Sequence, residues 1–142
     1  MSLEHLKDAI RRAGEEAWYH GNMDLMDQVY AADYVSHRPP FPSIQGLEAV
    51  KQFVAAACQG YSDIQVDYEE MIAEGDTMAY RYTMRMKHTG VSPSLPIPPT
   101  GKDLTLQGCV VVHIREGQVV EEFEYSDYLG YLQQLGVVPP LG

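Results

Sequence analysis

Basic residues are scarce in this chain: 10 lysines and arginines stand against 20 aspartates and glutamates, for a formal net charge of −10. A surface of that sign repels phosphate backbones and anionic headgroups, so neither nucleic acid nor a membrane surface is an expected partner. Cysteine is scarcer still. Cys58 and Cys109 are the only two, both inside apolar runs and without metal-ligand spacing, and are expected to be reduced core residues. No run approaches the ~20 apolar residues of a membrane span, and "MSLEHLKDAI" has no basic-then-apolar signal segment, so a cytoplasmic location is the expectation. A phosphate-cradling glycine loop, GxSxG, HExxH and a Cys/His cluster are also missing, and the histidines and carboxylates show no ligand spacing. No cofactor and no metal are expected.

The 142 residues that are present, 45% apolar and 21% charged, fit one globular domain over 1–142 whose core needs no disulfide or metal. Helices come first. Ser2 can cap a helix whose Leu3, Leu6, Ile10, Ala13 and Ala17 fall at helical spacing and which ends near Gly21. A short helix over Met23–Tyr30 follows, then "DYVSHRPPFPSIQG", where three prolines forbid regular structure, then a helix over 47–58 carrying Leu47, Val50, Phe53 and Ala57 on one face. From Asp63 onward the period becomes two. "DIQVDYEEMIAEGDTMAYRYTMRMKH" reads as two strands around a turn at Glu74-Gly75-Asp76. On the second of them Met78, Tyr80, Tyr82, Met84, Met86 and His88 share one face, and Ala79, Arg81, Thr83, Arg85 and Lys87 the other. A proline loop at 90–101, strands over 103–115 and 118–126, and a helix ending at Gly136 complete an α+β order in which a strongly curved, mainly antiparallel sheet wraps the N-terminal helices and leaves a hollow.

Which residues face that hollow depends on the "REGQ" hairpin, since a slip of one residue exchanges the faces of a strand. A two-residue primed turn pairs Arg115 with Gln118. A three-residue loop with Gly117 as the bulge residue pairs Ile114 with Gln118, and Glu116 favours it because a primed turn needs positive φ at both central positions. In that register Gln107, Cys109, Val111 and His113 share a face with Val119, Glu121, Phe123, Tyr125 and Asp127, so His113 and Asp127 look into the same space. Asp127 is then either a base in the hollow or the N-cap of the last helix, a role Ser126 can also fill. His113, His88 and His37 are the histidines able to assist, each with a structural reading beside it: a wall residue, an exposed strand end and a loop residue. Trp18, Phe53, Tyr80, Tyr82 and Phe123 are core or the walls of a cavity for a flat ligand, with Gln107 and Tyr125 on the same wall as Phe123. The arginines of the second long strand face away from the tyrosines, so no Asp-Arg-Asp relay of the kind used for epoxide hydrolysis can be placed.

The stretches "GNMDLMDQVYAADYVSHRP", "GLEAVKQFV", "AYRYTMRMKHTG", "PIPPTGKDLTLQG" and "REGQVVEEFEYSDYLGYLQQLG" together resemble the SnoaL-like polyketide cyclases, also called ester cyclases, of the nuclear transport factor 2 and ketosteroid isomerase superfamily. The resemblance implies a cone-shaped α+β barrel, a homodimer packed through the outer sheet face, and a cofactor-free site inside the cone. It also implies intramolecular aldol closure of a hydrophobic carbonyl or aromatic polyketide-like ligand, with the acid that opens the last helix, here Asp127, as general acid/base and His113 assisting. The family's tryptophan on the last strand is replaced by Phe123. A non-catalytic binding module of the same fold, or an isomerase or hydrolase of the superfamily, are the alternatives.

Overall fold

A computed structural model describes residues 2–142. Helix α1, Leu3–His20, begins where the Ser2 hydroxyl accepts from the His5 N–H at 3.1 Å and stops at Gly21, whose left-handed φ of 68° closes the last turn. Its buried stripe is Leu6, Ile10, Ala13 and Ala17, as the spacing predicts. Helix α2 is confined to Met26–Val29, because the chain enters strand β1 at Tyr30 and stays extended to His37. The expectation of irregular structure here is corrected: the prolines lie beyond the strand, leaving every N–H of 30–37 free to pair. After the two-residue strand β2, Ile44–Gln45, helix α3, Leu47–Cys58, buries Leu47, Val50 and Val54 and leaves Phe53 half-buried. Strands β3 (Tyr61–Glu74), β4 (Thr77–His88), β5 (Asp103–Arg115) and β6 (Gln118–Ser126) precede helix α4, Tyr128–Leu135.

The six strands form one curved sheet in the order β2-β1-β6-β5-β4-β3, antiparallel except where β1 runs parallel to β6. The sheet is not closed, so the cone expected from the resemblance is an open one. Met78, Tyr80, Tyr82, Met84, Met86 and His88 of β4 are all buried on the concave side, as their alternation predicts.

The hairpin departs from expectation, but a bulge cancels the change in grouping. Glu116 and Gly117 have φ of 52° and 77°, and Arg115 pairs with Gln118 across a two-residue turn. A bulge follows at once: Ile114 pairs with Val119 but His113 pairs with Glu121. The bulge restores the grouping of His113 with Glu121, Phe123 and Tyr125, but on the convex side. The reason is packing. The alternative face of β5 offers Leu104, Leu106, Val110 and Val112, which bury far more apolar surface than Gln107, Cys109, Val111 and His113 can. Cys109 is accordingly exposed rather than in the core, whereas Cys58 is half-buried against the core, and its burial pushes the thiol pKa up; both are free thiols. Among the described residues no helix is long and apolar enough to cross a membrane.

Candidate active site in the concave face

A cavity of about 260 Å³ lies between the concave face, α1, α3 and α4. Apolar groups from every side line it: Ala13 and Ala17 of α1, Val54 of α3, Ile64 and Val66 of β3, Met84 and Met86 of β4, Leu106 of β5 and Leu132 of α4. Leu95 and Ser94 of the proline loop also reach it. Of the expected wall residues, Trp18, Phe53, Tyr80 and Tyr82 do line it, together with Tyr30, Tyr34, Tyr61, Tyr68, Tyr128 and Tyr131. Two glycines make room for the phenols. A Cβ on Gly14 would stand 1.7 Å from the Tyr68 hydroxyl oxygen, and one on Gly108 would stand 2.7 Å from that of Tyr82, which pairs with the Ser126 hydroxyl.

Into this cavity the sheet turns three charged groups. The strand end "SHR" alternates, so Ser36 and Arg38 point inward, and on the neighbouring strand "EEFE" sends Glu122 and Glu124 inward. Arg38 donates from Nε to Ser36 Oγ at 2.8 Å, from Nη1 to Glu124 Oε2 at 3.0 Å and from Nη2 to Glu122 Oε2 at 3.3 Å. Ser36 Oγ donates to the same Glu122 oxygen at 2.7 Å, and the guanidinium carbon lies 5.3 Å from the Phe53 ring centroid. The side chains of Arg38, Glu122 and Glu124 are only 9%, 5% and 14% exposed, so water screens this triad weakly.

Burial raises the Glu124 pKa first; Arg38 pulls it down, the negative charge of Glu122 pushes it up again, and a Tyr82 hydrogen bond lowers it, with a net rise. Arg38 is held charged by the two carboxylates against the cost of burial. The phenols are the opposite of bases. Burial lifts Tyr61 and Tyr128 to about 12 and Tyr30, Tyr34, Tyr68, Tyr80 and Tyr82 further, so all stay neutral and able to donate. One carboxyl able to hold or release a proton, one fixed cation and several neutral donors around an apolar space are the parts of an acid/base site for carbon–hydrogen chemistry. Among the described residues no cluster has metal-binding geometry.

The residues singled out from the sequence are distributed otherwise. Asp127 is the exposed N-cap of α4, accepting from the Gly130 N–H at 2.9 Å, while Ser126 turns inward to Tyr82. The cap and the inward hydroxyl have exchanged the parts foreseen for them. Asp127→Ala is therefore expected to cost about 0.5–2 kcal/mol in a urea titration while leaving turnover unchanged. His113, Gln107, Phe123 and Tyr125 lie on the convex face, consistent with the register of β5 against β4. His37 lies there too: its ring stacks on Phe123 at 4.7 Å, Nδ1 is 2.7 Å from Ser43 Oγ, and Nε2 donates to Glu121 Oε2 at 3.0 Å. His88 is buried but structurally occupied. Its Nδ1 accepts the Thr100 N–H at 3.1 Å, pinning the proline loop to the end of β4. Among the described residues no Asp-Arg-Asp relay is formed, but a Glu–Arg–Glu group is, built on Arg38 just past the end of β1 rather than on β4. The signal for it was present in "SHRP" and "EEFE": polar residues alternating two by two on adjacent strands.

A family-model match identifies the chain's family. The chain belongs to the SnoaL-like polyketide cyclases, whose family model matches residues 8–135. Solved structures superpose on it closely. A SnoaL-like polyketide cyclase candidate from Jannaschia sp. CCS1 does so with a TM-score of 0.83 at 19% identity, over 99% of this chain and 98% of that one. The polyketide cyclase candidate IdmH from Streptomyces antibioticus gives 0.72 at 25% identity, over 93% and 99%. A protein of ketosteroid isomerase-like fold from Catenulispora acidiphila gives 0.73 at 16% identity, over 91% and 93%. No curated protein matches the sequence. Family and neighbours point to an enzyme of the polyketide cyclase type.

Proposed function

We propose that the protein closes a ring in a hydrophobic polyketide-like ester by cofactor-independent aldol chemistry, with Glu124 in place of Asp127 as the general acid/base. The observation that carries this reading is the Glu124 carboxyl, facing an apolar cavity beside Arg38 with its pKa raised by burial. In its ionised form Glu124 removes a proton from a carbon flanked by carbonyls. The N–H groups of Arg38 not engaged with Ser36, Glu122 and Glu124, with hydroxyls such as Tyr30 and Tyr80, hold the enolate oxygen. The enolate carbon attacks a second carbonyl of the same molecule, forming the C–C bond, and protonated Glu124 returns the proton to the new alkoxide. Nothing is lost, so substrate and product are isomers.

The convex face supports a second element of the proposal, a homodimer. Ile72, Ala79, Val111, Phe123 and His37 stand in one row across five strands, with Ile72 68% and nearby Tyr125 58% exposed.

An aryl β-keto ester carrying a pendant methyl ketone tests the reaction. The protein is expected to convert it to a cyclic isomer of unchanged mass and shifted retention, without added metal or cofactor. Binding of the ester with no isomer formed would overturn the enzymatic reading and leave a binding module.

A further inference from the structure

Arg38 is placed by the end of a short strand, which pairs with β2 on one side through Val35 and Ser36 and with β6 on the other. Between Tyr30↔Val119 and Val35↔Glu121 the β1–β6 register slips, and only Val35, Ser36 and His37 then pair with β6 before the chain turns off at Pro39 and Pro40. Arg38 itself lies one residue past the last rung. Beyond the β2 and β6 ladders and the Phe41 N–H to Arg38 carbonyl bond, side chains brace this end on each side of the sheet: inside, Ser36 and Arg38 to Glu122 and Glu124; outside, His37 to Glu121, Phe123 and Ser43. A second histidine completes the outer group, with His113 Nδ1 3.3 Å from the other oxygen of Glu121 and its ring 5.7 Å from Phe123. The hydrogen bond from His37 lowers the Glu121 pKa most, partial desolvation opposes it, and the hydrogen bond from His113 lowers it further, with a net fall.

We infer that His37, bridged by Glu121 to His113, is a positioning residue that acts from the convex face to set the guanidinium of Arg38 in the cavity. The inference rests on the reading of Arg38 and Glu124 as the reacting pair, and it assigns the convex cluster a part in the site without any contact with substrate. Because the backbone step from His37 to Arg38 is a single residue of extended chain, loosening the ring's hold on Glu121 lets the strand end pivot. The planar fork then loses its simultaneous fit to Ser36, Glu122 and Glu124. Glu121 and Phe123 are themselves one residue from Glu122 and Glu124, so the same clamp orders both members of the pair.

The test compares His37→Ala with His37→Gln, which keeps a donor for Glu121, at matched oligomeric state by sedimentation. Two readouts are taken: exchange of the Arg38 Nε–H with solvent, followed by nitrogen-15 NMR against core amides, and proton abstraction from 5-nitrobenzisoxazole, which opens to a cyanophenolate when a base takes its ring proton. His37→Ala is expected to speed Arg38 Nε–H exchange at least tenfold with core amides unmoved and to lower kcat about tenfold to a hundredfold with KM little changed, while His37→Gln restores both. Unchanged Nε–H exchange in the alanine variant, or exchange that rises equally at Arg38 and in the core, overturns the inference. A native protein inert to the probe counts against Glu124 as base but leaves the exchange measurement to decide the role of His37.

Discussion

Arg38→Leu is expected to lower stability by about 3–5 kcal/mol, because it strands two buried carboxylates that share one cation. Glu122 takes both the Arg38 and Ser36 hydrogen bonds on a single oxygen, so it keeps one donor of two, and Glu124 keeps only Tyr82. The protein's remedy is to take up protons. The loss should therefore be largest at neutral pH and shrink as the solution is acidified, since a protonated carboxyl needs no cation. Urea titrations at several pH values check this, and a loss independent of pH would mean that packing over Phe53, not charge, is the main contribution of Arg38. Lysine at the same position restores the charge but not the fork, so it should recover part of the stability and little of the activity.

Glu124→Gln should reduce proton abstraction from 5-nitrobenzisoxazole by about 10²- to 10⁴-fold, the usual contribution of a positioned base. Native rates should rise with pH as the carboxyl ionises, with the midpoint above that of an ordinary glutamate, and the glutamine variant should show no such limb. Stability carries the opposite slope. A carboxyl whose folded pKa is raised contributes stability that is complete below its unfolded pKa and is lost as pH climbs through the folded value. The native protein should therefore lose ground to Glu124→Gln across the window from the ordinary glutamate range up to the folded midpoint of Glu124. Activity and stability so diverge at one residue, as expected of a site held in an unfavourable charge state for use.

Much of the architecture was legible because it follows from periodicity. The stripe of α1, the concave face of β4 and the proline loop all follow from spacing alone, and the wall residues Trp18, Phe53, Tyr80 and Tyr82 came with them. The site's charged pair was not legible for two reasons. Strand β1 was hidden by the prolines that follow it, and a parallel strand paired over so few rungs leaves no hairpin signal in the sequence. The turn at Glu116 took a positive φ that a non-glycine residue adopts rarely, and a bulge three residues away undid the consequence. Together the two events leave the expected grouping intact, and it is the apolar face of β5, packed on the concave side, that turns Glu122 and Glu124 inward. Asp127 was then the natural acid to single out, being the last carboxylate before a helix, and that same position explains why it is a cap. Alternation alone argues against a site on the buried face of β6, since Glu122 and Glu124 are costly to bury unless paired; the pairing partner lay 84 and 86 residues away in sequence.

The most direct test of the account is the titration of the Glu124 carboxyl carbon by carbon-13 NMR in the native protein, assigned by loss of the signal in Glu124→Gln. The account predicts a midpoint above those of the exposed glutamates, falling when Glu122 is replaced by glutamine and rising when Arg38 is replaced by leucine. A midpoint at or below the exposed glutamates, indifferent to both substitutions, would contradict it.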